Sequence, residues 1–297
     1  MDSLKNSLTS ATQPGAGSSF LSSNSVVGKL VFVIMVVIVF VLLFQVGLYL
    51  IVWYNSPPKD PFLIKGMLDG SHKMTIKQDP SNADSVQILR SNNDQAGAAF
   101  TWSVWLYIQD FDINNGEFFH VFSKGDENFK DGEKGQAAVN NAPGLYLGKP
   151  GDSTTAAPPA GKDNQGITLR VKMDSVKVYD AKVYVDVPNM PIRKWVHVAL
   201  RLENTVFDVY VNGQISGRLL LSYIPKQNYS DVLVHHNGGF KGKTSNLRYY
   251  SKSLNIFQIQ RIVDKGPDTS NSKLADELTN VGNYGYLGYN WYSEKMM

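Results

Sequence analysis

The sequence contains no cysteine among its 297 residues. A disulfide framework and any thiolate metal site are therefore excluded, although a domain of this size folds without staples, so the compartment stays open. An excess of one charge is lacking too: 29 Lys and Arg stand against 26 Asp and Glu, a formal net charge of +3. The bases are scattered among the acids, which gives no footprint for nucleic acid. Gly-rich phosphate loops and nucleophile elbows are missing. The five histidines, His72, His120, His197, His235 and His236, have no third ligand spaced for zinc.

What the chain does have is one long apolar run, Leu30 to Tyr54, with no charge in it and Gln45 as its only strongly polar side chain. At 1.5 Å per residue it reaches roughly 36 Å, enough to cross a ~30 Å hydrocarbon core with some tilt. Lys29 marks one edge; Trp53 and Tyr54 mark the other, where amphipathic rings favour the interface, and Pro57-Pro58 ends the helix. A cleaved signal sequence is the competing reading, but its apolar core is shorter and ends in small residues. A retained single-pass anchor is expected, with the lipid bilayer as a partner. Lys5 and Lys29 precede the run while Lys59, Lys65, Lys73 and Lys77 follow it, so flanking charge hardly discriminates orientation. We read the short tail as inner and the C-terminal domain as exposed.

The organisation follows as a polar tail 1–27, a transmembrane helix 28–55, a neck 56–70, a β-sandwich 71–266 and a C-terminal helix and aromatic tail 267–297. The tail, rich in Ser, Thr, Asn and Gly, is expected to be disordered on its own. Beyond it, period-two alternation dominates. Phe100, Trp102, Val104, Leu106 and Ile108 alternate with Thr101, Ser103, Trp105 and Tyr107. Ile167–Met173, Val196–Leu202 and Phe207–Val211 behave likewise, and Asn212-Gly213 is a two-residue hairpin signal. Further strands are expected at Met74–Lys77, Val86–Arg90, Phe118–Phe122, Gly144–Leu147, Val176–Val187, Val232–His235 and Leu247–Tyr250. Many short strands punctuated by Gly, Asn and Pro imply an all-β, two-sheet antiparallel jelly roll. Residues 124–141 and 149–166 read as mobile surface insertions. One helix is expected after Asn255, with Gln258 completing a capping box, Gly266-Pro267 as the stop, and Ile256, Ile259 and Val263 facing the sandwich. A shorter helix is expected around residues 273–279.

Three blocks in this order resemble the concanavalin A-like lectin/glucanase superfamily in its laminin-G-like form. They are FTWSVWLYI (Phe100–Ile108), RKWVHVALRLENTVFDVYVNGQISG (Arg193–Gly217) and GGFKGKTSNLRYYSKSLNIFQIQRI (Gly238–Ile262). The residues that carry the match are Phe100, Trp102, Trp105, Trp195, His197, Tyr210, Asn212, Gly213, Arg248 and Tyr250. The resemblance implies the jelly roll, but not what it does, because such folds host sugar binders, protein binders and glycosidases.

A glycosidase needs two carboxylates flanking the scissile bond, and the E-x-D-x-x-E strand of the related glucanases has no match. Asp126, Glu127, Asp131 and Glu133 sit in a polar loop without strand alternation, so catalysis is not expected. Asp110-x-Asp112-x-Asn114-Asn115-Gly116 is similar to the start of a calcium loop, yet its glycine falls one place late and position twelve is Val121. An Asx-rich turn is the simpler reading, calcium is the weaker alternative, and no cofactor is expected. His197 reads as a ring packed in the sheet, and His235 and His236 as pointing to opposite faces of one strand. Trp105, Tyr107, Tyr210 and Arg201 could form a sugar platform, or equally a face hidden under a covering segment. Asn228-Tyr229-Ser230 is a glycosylation sequon that matters only in a secretory lumen. The tail aromatics Tyr284, Tyr286, Tyr289, Trp291 and Tyr292 either fold back on the sandwich or form a docking strip for a protein partner.

The expected protein is a non-catalytic, single-pass membrane protein presenting a jelly roll to protein partners, with a glycan-binding lectin as the alternative and a polysaccharide hydrolase as a distant third. Tail, anchor, neck and one such domain resemble virion proteins of large DNA viruses with an internal membrane. That resemblance implies a minor capsid component in the inner virion membrane, facing capsid proteins and tying the membrane to the shell.

Overall fold

The alternation in residues 99–108 is realised as a ten-residue strand whose inward side chains build the centre of a sandwich. The computed structural model describes residues 26–82, 84–89, 98–110, 117–129, 135–138, 140–148, 166–177 and 184–272. The polar tail, most of the 149–166 insertion, the helix expected near residue 273 and the five tail aromatics lie outside the described residues.

Helix α1, Val26–Asn55, is 30 residues long and therefore about 45 Å. It starts two residues before the expected bound because Val26 and Val27 continue the apolar pattern. Its apolar side chains lie all around the axis and are exposed, as are Lys29, Gln45, Trp53 and Tyr54. The helix is long and apolar enough to cross a membrane.

The strands are β1 (Met67–Asp69), β2 (Met74–Ile76), β3 (Ala99–Ile108), β4 (Phe118–Lys124), β5 (Gly144–Gly148), β6 (Ile167–Lys172), β7 (Tyr184–Met190), β8 (Trp195–Glu203), β9 (Val206–Val211), β10 (Gln214–Leu220), β11 (Val232–Val234) and β12 (Gly242–Tyr250). They form two antiparallel six-stranded sheets, in the orders β1-β12-β3-β8-β9-β10 and β2-β11-β4-β5-β6-β7. Together the sheets make the jelly-roll sandwich expected of the sequence. Trp102 on β3 pairs with Leu200 on β8 and Tyr249 on β12, and its ring stacks on Phe122 of the opposite sheet at 5.2 Å. Phe100, Val104, Leu106, Val198, Leu202, Phe207 and Val209 extend this core. The Asn212-Gly213 turn joins β9 to β10 with φ of 49° and 82°, the left-handed pair that suits the twist of a hairpin. Asn212 Oδ1 also accepts the His197 N–H at 2.9 Å, so the turn residue pins β8 as well. Gly217 lets β10 approach β7, since a Cβ there would sit 2.9 Å from Val185 Cγ2.

Three expectations change. The segment read as neck enters the sandwich from Pro61 onward: Leu63, Ile64 and Leu68 are buried, and β1 pairs with β12. Val86–Leu89 is not a strand, because the Gln78 side chain takes its place in the ladder, donating to Val86 O and accepting from the Ile88 N–H. In the stretch 176–187, Val176 and Lys177 are irregular, and β7 starts at Tyr184 and runs on to Met190.

Helix α2, Ile256–Lys265, carries the expected capping box: Asn255 accepts from the Gln258 N–H, and the Gln258 side chain accepts from the Asn255 N–H. Of the three residues expected to face the sandwich, Ile259 is buried, Val263 is half-buried and Ile256 is exposed. The burial stripe runs through Ile259 and Ile262 instead, against Ala199 of β8, Tyr210 of β9, Tyr250 at the end of β12 and Leu254 after it. Asn255→Ala should cost about 1 kcal/mol, read as a lowered urea midpoint, and Asn255→Gly only a few tenths.

Candidate functional site

The strand β4 ends on Phe122-Ser123-Lys124. Strand alternation sends Phe122 into the core, Ser123 outward to His120 Nε2 at 2.9 Å, and Lys124 inward again, opposite Val232. Lys124 Nζ donates to Ser230 O at 2.6 Å and lies 3.4 Å from Asn228 Oδ1. Burial pulls this ammonium down from 10.5 to about 8, against the opposing charge of Asp231. Asp231 is itself committed to Lys77 Nζ and to the Gln78 N–H, each at 2.9 Å.

Lys124 stands at the edge of a pocket of about 200 Å³ that opens between the two sheets at the sandwich rim. Phe100, Trp102 and Tyr249 form its aromatic wall, and Ile88 and Leu89 add aliphatic surface. The Tyr249 phenol is raised above its ordinary value by burial, with the charge of Asp60 adding to the effect, so it stays neutral at physiological pH. The loop 226–229 borders the opening, and Tyr229 there is 96% exposed. The arrangement is an apolar cleft with a fixed cation.

The outer face of the β3–β8–β9 sheet tells a different story. Trp105, Tyr210 and His197 are buried, and Tyr210 lies under α2. His197 Nε2 bonds Ser103 Oγ at 2.8 Å, and its ring contacts Trp105 at 5.2 Å. Arg201 is tied to Asp208 and Glu203, and Asp208 also takes Arg218 Nε at 2.6 Å. Of the two readings of this face, the covering segment holds at Tyr210. Tyr107 and Trp195, 5.5 Å apart, remain half-exposed. Arg248 stacks between Phe62 and Tyr250, at 4.2 and 4.7 Å from the ring centres.

Four histidines cluster at the β2–β11–β4 end. His235 and His236 follow β11 rather than lying in it, because the strand stops at Val234 and His235 turns to φ 52°. His235 faces His72 O and Phe240, while His236 faces Met74 O, Thr75 and His120. His120 Nδ1 accepts the His236 N–H, which leaves Nε2 as the protonated nitrogen that donates to Ser123. Glu127 pairs with Lys73 at 2.7 Å and approaches His236 Nδ1 at 3.1 Å. Asp126 accepts from Asn140 and Ser230. Among the described residues no three His, Cys, Asp or Glu side chains are placed to hold a metal ion. The calcium-like stretch 112–116 lies outside them.

A profile of the Laminin_G_3 family, of the concanavalin A-like lectin/glucanases superfamily, matches residues 80–260, more than half of the chain. The chain belongs to this superfamily. No curated protein sequence matches it. Among solved structures it is similar to the receptor-binding domain of the botulinum neurotoxin C/D mosaic serotype, at 11% identity and TM-score 0.39, over 57% of this chain and 36% of that one. It is also similar to Trypanosoma rangeli sialidase in complex with 2,3-difluorosialic acid, at 16% identity and TM-score 0.41, over 70% and 28%. A third is the binding domain of Paraclostridial Mosquitocidal Protein 1, at 13% identity and TM-score 0.38, over 69% and 46%. The chain spans less than half the length of each.

Of the residues that carried the laminin-G-like resemblance, Phe100 and Trp102 reach the pocket, whereas Trp105, Trp195, His197, Tyr210, Asn212, Gly213, Arg248 and Tyr250 serve the β3–β8–β9 and β12 framework. Sequence reasoning missed Lys124 and Tyr249. The signal was there: Lys124 falls two residues after Phe122, on the inward register of β4. The sequon residue Asn228 is engaged, its Nδ2 donating to Lys124 O at 3.1 Å and Asn140 O at 3.3 Å.

Proposed function

We propose that this superfamily member is a membrane-anchored, non-catalytic binding protein whose sandwich engages a protein partner. The observation that carries the reading is α1: from Val26 to Tyr54 its apolar side chains are exposed around the whole helix, a surface that water does not tolerate and lipid does. The non-catalytic half is supported by the acids. Asp126 and Glu127 are spent on Asn140, Ser230, Lys73 and His236, and the described lining of the rim pocket holds no carboxylate. A lectin is the second reading, favoured by the half-exposed Tyr107–Trp195 pair.

In its finer form the proposal places the chain in a particle with an internal membrane, as a minor capsid component linking that membrane to the protein shell. The support is the order of anchor followed by a single sandwich. The test is fractionation followed by cross-linking. The chain should stay with membranes through alkaline carbonate, dissolve in detergent, keep residues 26–54 in its intact mass, and cross-link to shell proteins. A mature chain that begins after residue 54 and is freely soluble would replace the anchor with a signal sequence. Tight glycan-array binding without protein cross-links would favour the lectin.

A further inference from the structure

An inward-facing lysine at the edge of a β-sandwich core is expensive, because burial disfavours its charge and an unbranched methionine would pack there at no such cost. Lys124 has three N–H donors, and its two described partners, Ser230 O and Asn228 Oδ1, are neutral oxygens. The carboxylate whose charge reaches it, Asp231, is held by Lys77 and Gln78. The described lining of the adjoining pocket holds a second cation, Lys226, and no acid. Three aromatic side chains, Phe100, Trp102 and Tyr249, share the lining with it. At about 200 Å³ the space is below the drug-sized range and suits one or two fused rings with a short arm.

We propose that this rim pocket binds a compact aromatic carboxylate, with its ring against Phe100, Trp102 and Tyr249 and its carboxylate on Lys124. This goes beyond the partner-binding reading and does not depend on it: the membrane fractionation above can fail while the pocket binds, and the reverse.

The test uses the full chain in detergent micelles, titrated with phenylacetate, 3-phenylpropionate and indole-3-acetate and with the matching amides, followed by saturation-transfer NMR. At least one acid should bind about tenfold more tightly than its amide, the scale of one charge-assisted hydrogen bond. Lys124→Met should abolish that preference while leaving the melting temperature equal or higher. A second measurement needs no variant: the preference should fade as pH rises past about 8, where the Lys124 ammonium loses its proton. Asp231 is already ionised well below that range, and the Tyr249 phenol stays neutral through it. The proposal is overturned if no acid outbinds its amide, if Lys124→Met keeps the preference, or if the preference persists unchanged to pH 9.5. A peptide ending in phenylalanine presents the same ring and carboxylate. Binding of acetyl-Gly-Phe more tightly than any free acid would reassign the pocket to a protein C-terminus and overturn the small-acid assignment.

Discussion

Lowering the pH from 7.5 to 4 will remove roughly 6 kcal/mol of stability from the sandwich, through His197 and His235 alone. Burial pulls both rings from 6.5 to about 4. Both are therefore neutral in the folded protein, whereas in the unfolded chain they take up protons as soon as the pH drops below 6.5. The penalty is absent above that value, grows on the way down, and levels off near the folded values. Over such a gap each ring contributes about 3 kcal/mol. Geometry agrees at His197, whose Nδ1 is buried without a partner, so an added proton there would find no acceptor. His120, lowered further by burial and by its neighbours His236 and His235, acts in the same direction. Measured against the 5–15 kcal/mol of an ordinary domain, the loss approaches unfolding. Urea midpoints followed by tryptophan fluorescence at steps between pH 7.5 and 4 measure it. The depressed carboxylates Asp69, Asp231 and Glu127 act in the same direction at the lower end of this window and beneath it, as the pH falls from their ordinary values of 3.8 and 4.5 through their lowered ones. A midpoint that stays level down to pH 4 would sink the account, and His197→Gln should flatten part of the slope.

Trp102→Ala is the substitution expected to do most damage. The indole is 1% exposed, stacks on Phe122 at 5.2 Å and meets Tyr249 edge-on at 5.3 Å. Removing it deletes the contact that joins the sheets and costs roughly 3–5 kcal/mol, transfer and cavity together. Trp102→Phe keeps a ring against Phe122 and should cost less than half as much. Chemical denaturation of the detergent-solubilised chain ranks the two. Because Trp102 also walls the rim pocket, the milder variant should enlarge the pocket while the sandwich stays folded.

Much of this was legible from residue order because half-buried strands write their burial into alternate letters. The residues from Phe100 to Ile108 and from Val196 to Leu202 did so without ambiguity, and Asn255 with Gln258 announced α2. Legibility failed where a backbone partner is a side chain or where an element is too short to show a period. Gln78 hid the irregular course of Val86–Leu89, and three-residue β1 was read as neck. The outer face stayed ambiguous for another reason. Trp105 and Tyr210 suit a platform or a covered face equally in the strand pattern, because what covers Tyr210 is α2, more than forty residues further along the chain. Lys124 was overlooked because the strand was expected to stop at Phe122, two residues before the side chain that matters.

The amide nitrogen of Asn228 has one more consequence. In the folded domain it holds two carbonyls, on Lys124 and Asn140. An oligosaccharyl donor would need that same nitrogen. Sugar transfer and closure of the domain thus compete for one atom, and a chain that folds first escapes modification for good. A glycan at this position, in whatever host makes the protein, would mark molecules that were caught before they closed.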